Sequence, residues 1–183
     1  MHHPMFVASR SAGRLIALCL AGVPLQAQVP QIRQEYQLVR RALPSLRVDS
    51  TDLGGFSTEG GVAKAYRDST GDIRLVEVIL YGEMGKQIAE YYYRQQVLFF
   101  VYTKDLRYNV PFTFTPDVAR EMGSEPFDPK KTKVLENRYY FSEGHLLRWI
   151  GEYGRQIDVR SEQARDAASD LISFADTLRA KFR

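Results

Sequence analysis

Four carboxylates stand where a pair of them can do chemistry. Glu77 and Glu90 fall on neighbouring predicted strands, and Glu136 and Glu152 on a predicted hairpin. Two carboxylates on one sheet face, one protonated and one ionised, are what acid–base hydrolysis of a sugar linkage requires. Register decides whether either pair converges. Arg74, Arg94, Arg138 and Arg148 are equally placed to neutralise them across strands. Other chemistries have less to work with. His145 is the one histidine beyond residue 27, and no cysteine follows Cys19, so that part of the chain has no His/Cys set for a metal and no thiol nucleophile. No Gly-x-Ser-x-Gly elbow accompanies His145. Gly54-Gly55 and Gly60-Gly61 lack the spacing and the following Lys-Ser/Thr of a phosphate loop. Residues 68–72 have the residue types of a calcium loop, but only five positions and no distal glutamate, so they read as a turn. The sequence therefore implies no cofactor, no metal and no named catalytic residue.

A second group suits binding. Residues 106–133 interrupt an otherwise regular rhythm of short strands, and a connection this long is often functional. It carries Tyr108, Phe112, Phe114 and Phe127, followed by Lys130, Lys131 and Lys133. Aromatic rings beside cations make a binding lip. The plainer reading is that the rings plug the end of the core and the lysines face water. Trp149 and Tyr91 are the candidate anchors of a contact surface on condition that they are exposed, because large aromatics dominate binding hot spots.

The elements that position these residues follow from periodicity. Ile32, Tyr36, Val39 and Leu43 form one apolar stripe, predicting a helix over 30–43 with Pro30 in its first turn and Pro44 as its stop. Residues 45–61 are rich in Ser, Thr, Asp and Gly and read as mostly loop. Six strands follow, at 62–67, 73–81, 87–93, 97–104, 134–142 and 145–152. The run 97–102 is continuously apolar, as a strand buried on both faces should be. Residues 92–98 and 140–146 repeat one unit: aromatic strand end, polar turn, aliphatic strand start. Thr115-Pro116-Asp117 predicts a short helix ending at Gly123. A long helix over 158–182 carries Ala164, Ala167, Ala168, Leu171, Phe174, Ala175, Leu178 and Phe182 on one stripe, with Ser161 or Asp158 as its cap. The expected fold is α+β: an antiparallel meander of about six strands with the N-terminal and C-terminal helices packed against it, in one domain over 28–183.

Residues 1–27 read as a secretory signal peptide. Arg10 and Arg14 precede an apolar run over 15–25 that is too short to span a bilayer, and Ala27 is a small residue at the expected cut. Cys19 lies inside the run after Leu18, which is not the lipoprotein position. The chain has 183 residues and a formal charge of +3, but removing Arg10 and Arg14 from its 25 basic residues leaves 23 against 22 acidic ones. That balance gives no support to a nucleic-acid partner. A cysteine-free exported domain fits a bacterial periplasm or exterior.

The segment 136–150, ENRYYFSEGHLLRWI, together with 90–102, resembles a group of uncharacterised exported bacterial proteins with paired YYF–turn–Gly-x-Leu hairpins and a Leu-x-Arg-Trp strand. The likeness spans roughly residues 57–152 and implies an antiparallel sheet and export. It carries no catalytic residue. Gln96 stands where a turn glycine would be usual, so the first hairpin is expected to turn differently from the second. The function expected is a non-enzymatic module of the bacterial envelope that binds a protein or envelope component. The alternative is an envelope hydrolase using the paired carboxylates.

Overall fold

The computed structural model describes residues 25–183. The expected leader lies outside these residues except for its last three, which open the first helix. The elements run α1 (Leu25–Ala42), β1 (Arg47–Asp52), β2 (Gly61–Arg67), β3 (Ile73–Gly82), β4 (Gly85–Arg94), β5 (Val97–Arg107), α2 (Pro116–Met122), β6 (Lys133–Ser142), β7 (His145–Ile150), β8 (Gln156–Ile157) and α3 (Glu162–Lys181). The fold is α+β, as expected. The strands form one antiparallel sheet in chain order, β1 to β8.

Eight strands rather than about six corrects the sequence reading at both ends. β1 lies in the stretch read as loop and pairs with β2 from Arg47↔Arg67 to Asp52↔Val62. β8 is two residues long and touches only Trp149 and Ile150. Pro30 lies inside α1 and not in its first turn. The excursion is shorter than expected, because β5 runs through Arg107.

β3–β4, β4–β5 and β6–β7 are joined by two-residue turns, and the two halves of the internal repeat turn alike. Gln95 and Gln96 have φ of 48° and 65°, and Glu143 and Gly144 have 50° and 78°. Positive φ at both central residues is the twist that suits a two-residue hairpin. The expectation that Gln96 would force a different turn is overturned: the chain holds two glutamines in the left-handed region instead. At the β3–β4 turn the glycine is obligatory for space, since a Cβ on Gly85 would lie 2.0 Å from the Leu106 carbonyl oxygen.

Strand alternation sends successive side chains to opposite faces. Val76, Val78, Ala89, Tyr91, Tyr93, Val101, Tyr139, Phe141 and Trp149 point to the face covered by α3, where Ala164, Ala175 and Leu178 seal the core. Ser161 caps α3 by accepting from the Ala164 amide at 3.2 Å. Each fully buried leucine such as Leu178 stabilises the fold by about 1.5–3 kcal/mol. The opposite face carries Leu75, Tyr92, Phe99, Phe100 and Tyr140 beneath Ile32 and Val39 of α1. Phe99 and Phe100 share that face although they are consecutive, because the register shifts between Tyr92 and Tyr93 and leaves Phe99 in a bulge. The same irregularity recurs between Tyr140 and Phe141 in the second hairpin.

Candidate binding face

The register places Lys64, Glu77, Glu90, Tyr102 and Arg138 in one row across five strands, on the α1 side. The buried cluster under α1 ends at this row. Glu77 and Glu90 are therefore direct cross-strand neighbours. Glu136 stands one step further out on the same face, and Glu152 is remote, in a turn after β7.

Each of the three carboxylates accepts a hydrogen bond from a tyrosine. The Tyr66 hydroxyl donates to Glu77 at 2.6 Å, Tyr92 to Glu90, and Tyr102 to Glu136 at 2.6 Å. Arg138 adds an ion pair to Glu136 at 2.8 Å, and Arg40 at the end of α1 approaches Glu90 at 3.6 Å. The electrostatics follow from these contacts. Burial, and then the bond to Glu77, push the Tyr66 phenol up to about 12. Burial followed by their carboxylate bonds raises Tyr92 and Tyr102 as well. In return, the Tyr102 hydroxyl holds the Glu136 carboxyl below its usual range, with Arg138 assisting. Arg74 turns instead to Glu35 and Asp68, at 2.7 and 3.5 Å. The carboxylates are thus matched chiefly by phenols. The signal was present as Glu90-x-Tyr92 and Glu136-x-Arg138, since residues two apart on a strand share a face.

Beyond this row the α1 side of the sheet continues without the cluster. Val62, Ile79, Ile88, Lys104 and Glu136 form the next row, and Tyr81, Lys86, Leu106 and Val134 the one after. Tyr81 is 42% exposed and Val134 48%. Lys64, Lys86 and Lys104 make no ion pair among the described residues; the Lys104 ammonium lies 5.3 Å from the centre of the Tyr102 ring.

The anchors proposed from sequence lie elsewhere. Tyr91 and Trp149 are buried on the α3 side and do not meet the condition of exposure. The Trp149 indole donates to Asn137 at 2.9 Å and stacks near Tyr139 at 5.0 Å. In the excursion, Tyr108 and Phe127 pack together at 4.9 Å, and Phe114 is half-buried. Asn109 ties the segment by donating to the Pro126 carbonyl and accepting from the Asp128 amide, both at 3.1 Å. Phe112 alone of the four aromatics is exposed. Its amide and that of Tyr108 donate to Glu83 and Met84, so the excursion leans on the β3–β4 turn. Lys131 pairs with Glu125, while Lys130 and Lys133 are exposed. His145 is exposed at the start of β7.

Among the described residues no cluster of His, Cys, Asp and Glu has the makings of a metal site, and no helix is long and apolar enough to cross a membrane. No family model matches the chain, and no curated protein or solved structure matches it either. The resemblance of its hairpins to exported bacterial proteins rests on their sequence alone.

Proposed function

We propose that this protein is a non-enzymatic binding module of the bacterial envelope that docks a protein partner on the half of the sheet α1 leaves uncovered. The partner's matching surface is apolar and acidic. The observation that carries this reading is the composition of that half-face. Six apolar side chains, Val62, Ile79, Tyr81, Ile88, Leu106 and Val134, stand in register beside Lys64, Lys86 and Lys104, which make no ion pair among the described residues, although Glu77 and Glu136 lie opposite Lys64 and Lys104. A phenolic hydroxyl is neutral and leaves the glutamates charged, so the balance is a count: Lys64, Lys86, Lys104, Arg40 and Arg138 stand against Asp52, Glu77, Glu90 and Glu136 on this side, a small positive excess. A positive excess around an apolar centre favours a complementary acidic rim. The exposed Phe112 belongs to the excursion that leans on the β3–β4 turn, close to Tyr81 and Lys86.

The hydrolase alternative draws on one specific observation, the cross-strand contact of Glu77 with Glu90. Acid–base hydrolysis needs two carboxylates in different environments. Here both accept a hydrogen bond from a phenolic hydroxyl, and the difference between them is Arg40, 3.6 Å from Glu90.

The test compares capture from envelope extract by residues 28–183 with capture by Val134→Asp and by the double variant Lys86→Glu/Lys104→Glu. A partner retained by the parent chain, lost from both variants and released by moderate salt supports the reading. Retention by both variants overturns it. Hydrolysis of an envelope glycan that disappears in Glu90→Gln favours the enzyme instead.

A further inference from the structure

A pocket of about 290 Å³ opens between α1 and the sheet, on the other side of the charged row from the uncovered half-face. Its floor is Phe100 and Tyr140, both buried, and its walls include Tyr36 and Tyr102. Tyr36 and Phe100 meet edge to face at 5.4 Å and Phe100 and Tyr140 lie 5.0 Å apart, so the aromatic lining is braced by its own contacts. Two guanidinium groups stand at the mouth. That of Arg138 lies 5.2 Å from the Tyr102 ring centre and is neutralised by Glu136. That of Arg33 lies 5.9 Å from the Tyr140 ring centre and has no carboxylate or hydrogen-bond partner among the described residues. Gln37 adds an uncommitted amide to the rim.

We infer that this pocket is a binding site for a small aromatic carboxylate. The volume is near the lower end of the range for small-molecule sites, which suits one or two fused rings. The flat body would lie among Tyr36, Phe100, Tyr102 and Tyr140. The carboxylate would meet Arg33, whose planar fork of donors matches it in geometry. Charge balance points the same way: Arg138 is spoken for, so the mouth carries one unmatched positive charge and takes one negative one. This inference does not rest on the uncovered half-face, and the two fail separately.

The experiment uses 2-naphthoate as the probe and 2-naphthylmethanol as its uncharged counterpart, titrated into residues 28–183 and followed by backbone amide chemical shifts. The expected result is saturable binding of 2-naphthoate, with shifts concentrated at Tyr36, Gln37, Tyr102 and Tyr140, and at least about tenfold weaker binding of the alcohol. Arg33→Gln, an exposed helix position without an ion pair, should weaken 2-naphthoate by a similar factor and leave the alcohol unchanged. Val134→Asp, on the uncovered half-face, should leave both unchanged. Equal binding of acid and alcohol, an unaffected Arg33→Gln variant, or shifts centred on Tyr81 and Leu106 would each overturn the assignment.

Discussion

The two faces of this sheet are made by the same strands and end differently. On the α3 side, the cluster runs from Ala63 on β2 to Trp149 on β7 with a twenty-residue helix over it. On the α1 side, the cluster stops partway along each strand, at the row containing Glu77, Glu90 and Arg138. The difference shows in how each face treats its tyrosines. Tyr93 buries its ring under α3 and gives its hydroxyl to the Ala175 carbonyl at 3.2 Å. Tyr92, one residue earlier, buries its ring under α1 and gives its hydroxyl to Glu90 at the cluster's edge. Under the closing helix the Tyr93 phenol finds a backbone partner. The face that stops short gives Tyr66, Tyr92 and Tyr102 carboxylate partners and leaves apolar rows beyond.

If the faces differ only past the charged row, they should be equally costly to damage before it. Phe141→Ala under α3 and Phe99→Ala under α1 should each lower stability by about 3–5 kcal/mol, measured by urea unfolding. A nearly neutral Phe99→Ala would mean that the α1 cluster does not hold the sheet, and the comparison would collapse. Past the row the faces should diverge. Val78→Ala, buried on the α3 side, should cost about 2 kcal/mol, while Val134→Ala, half exposed on the α1 side, should change stability by less than about 0.5 kcal/mol. Equal costs would place something over Val134 and remove the uncovered half-face.

How much of this was legible in the sequence depends on where the signal lies. The twin hairpins were legible because aromatic strand ends and polar turns recur at 92–98 and 140–146. The long helix was legible from its alanine-rich stripe and Ser161. β1 was not, because Arg47-Val48-Asp49-Ser50-Thr51-Asp52 has one apolar residue: an edge strand with little to bury looks like loop. The exposure of Trp149 and Tyr91 stayed a condition because alternation assigns a face but not what covers it; both are buried. The pairs Tyr66–Glu77 and Tyr102–Glu136 were missed because cross-strand partners depend on register, which no local pattern supplies; Tyr92–Glu90 lies within one strand and was legible as two residues on one face.

A smaller change sharpens the comparison at the rim where both faces meet. Gln95 holds φ of 48° and makes no side-chain hydrogen bond among the described residues. Gln95→Gly should relieve that backbone and raise the urea midpoint, by up to about 1 kcal/mol. Its neighbour is a poorer choice, because Gln96 donates to Asp72 at 3.3 Å and accepts from Arg179 at 2.9 Å. Destabilisation by Gln95→Gly would show that the left-handed turn is held by contacts other than the glutamine backbone's own preference.

Alkaline titration separates the faces by their phenols. The Tyr66 hydroxyl is held protonated by burial and by Glu77, with its value raised from 10.0 to about 12. A raised value means that the folded protein keeps a proton the unfolded chain gives up. The contribution is whole below the unfolded value and falls away as pH rises from about 10 through about 12. Tyr66 is only half-buried, so solvent screens part of the effect. Urea midpoints across that window should fall for the parent chain and fall less steeply for Tyr66→Phe, which has no proton to lose. Glu77→Gln keeps an acceptor for the hydroxyl but removes the negative charge that disfavours tyrosinate, so it should also flatten the fall. An unchanged slope in both variants would show that the Tyr66–Glu77 pair does not set the alkaline limit. The loss would then belong to the other raised phenols, Tyr92 and Tyr102 at their carboxylates or Tyr91 and Tyr93 buried under α3.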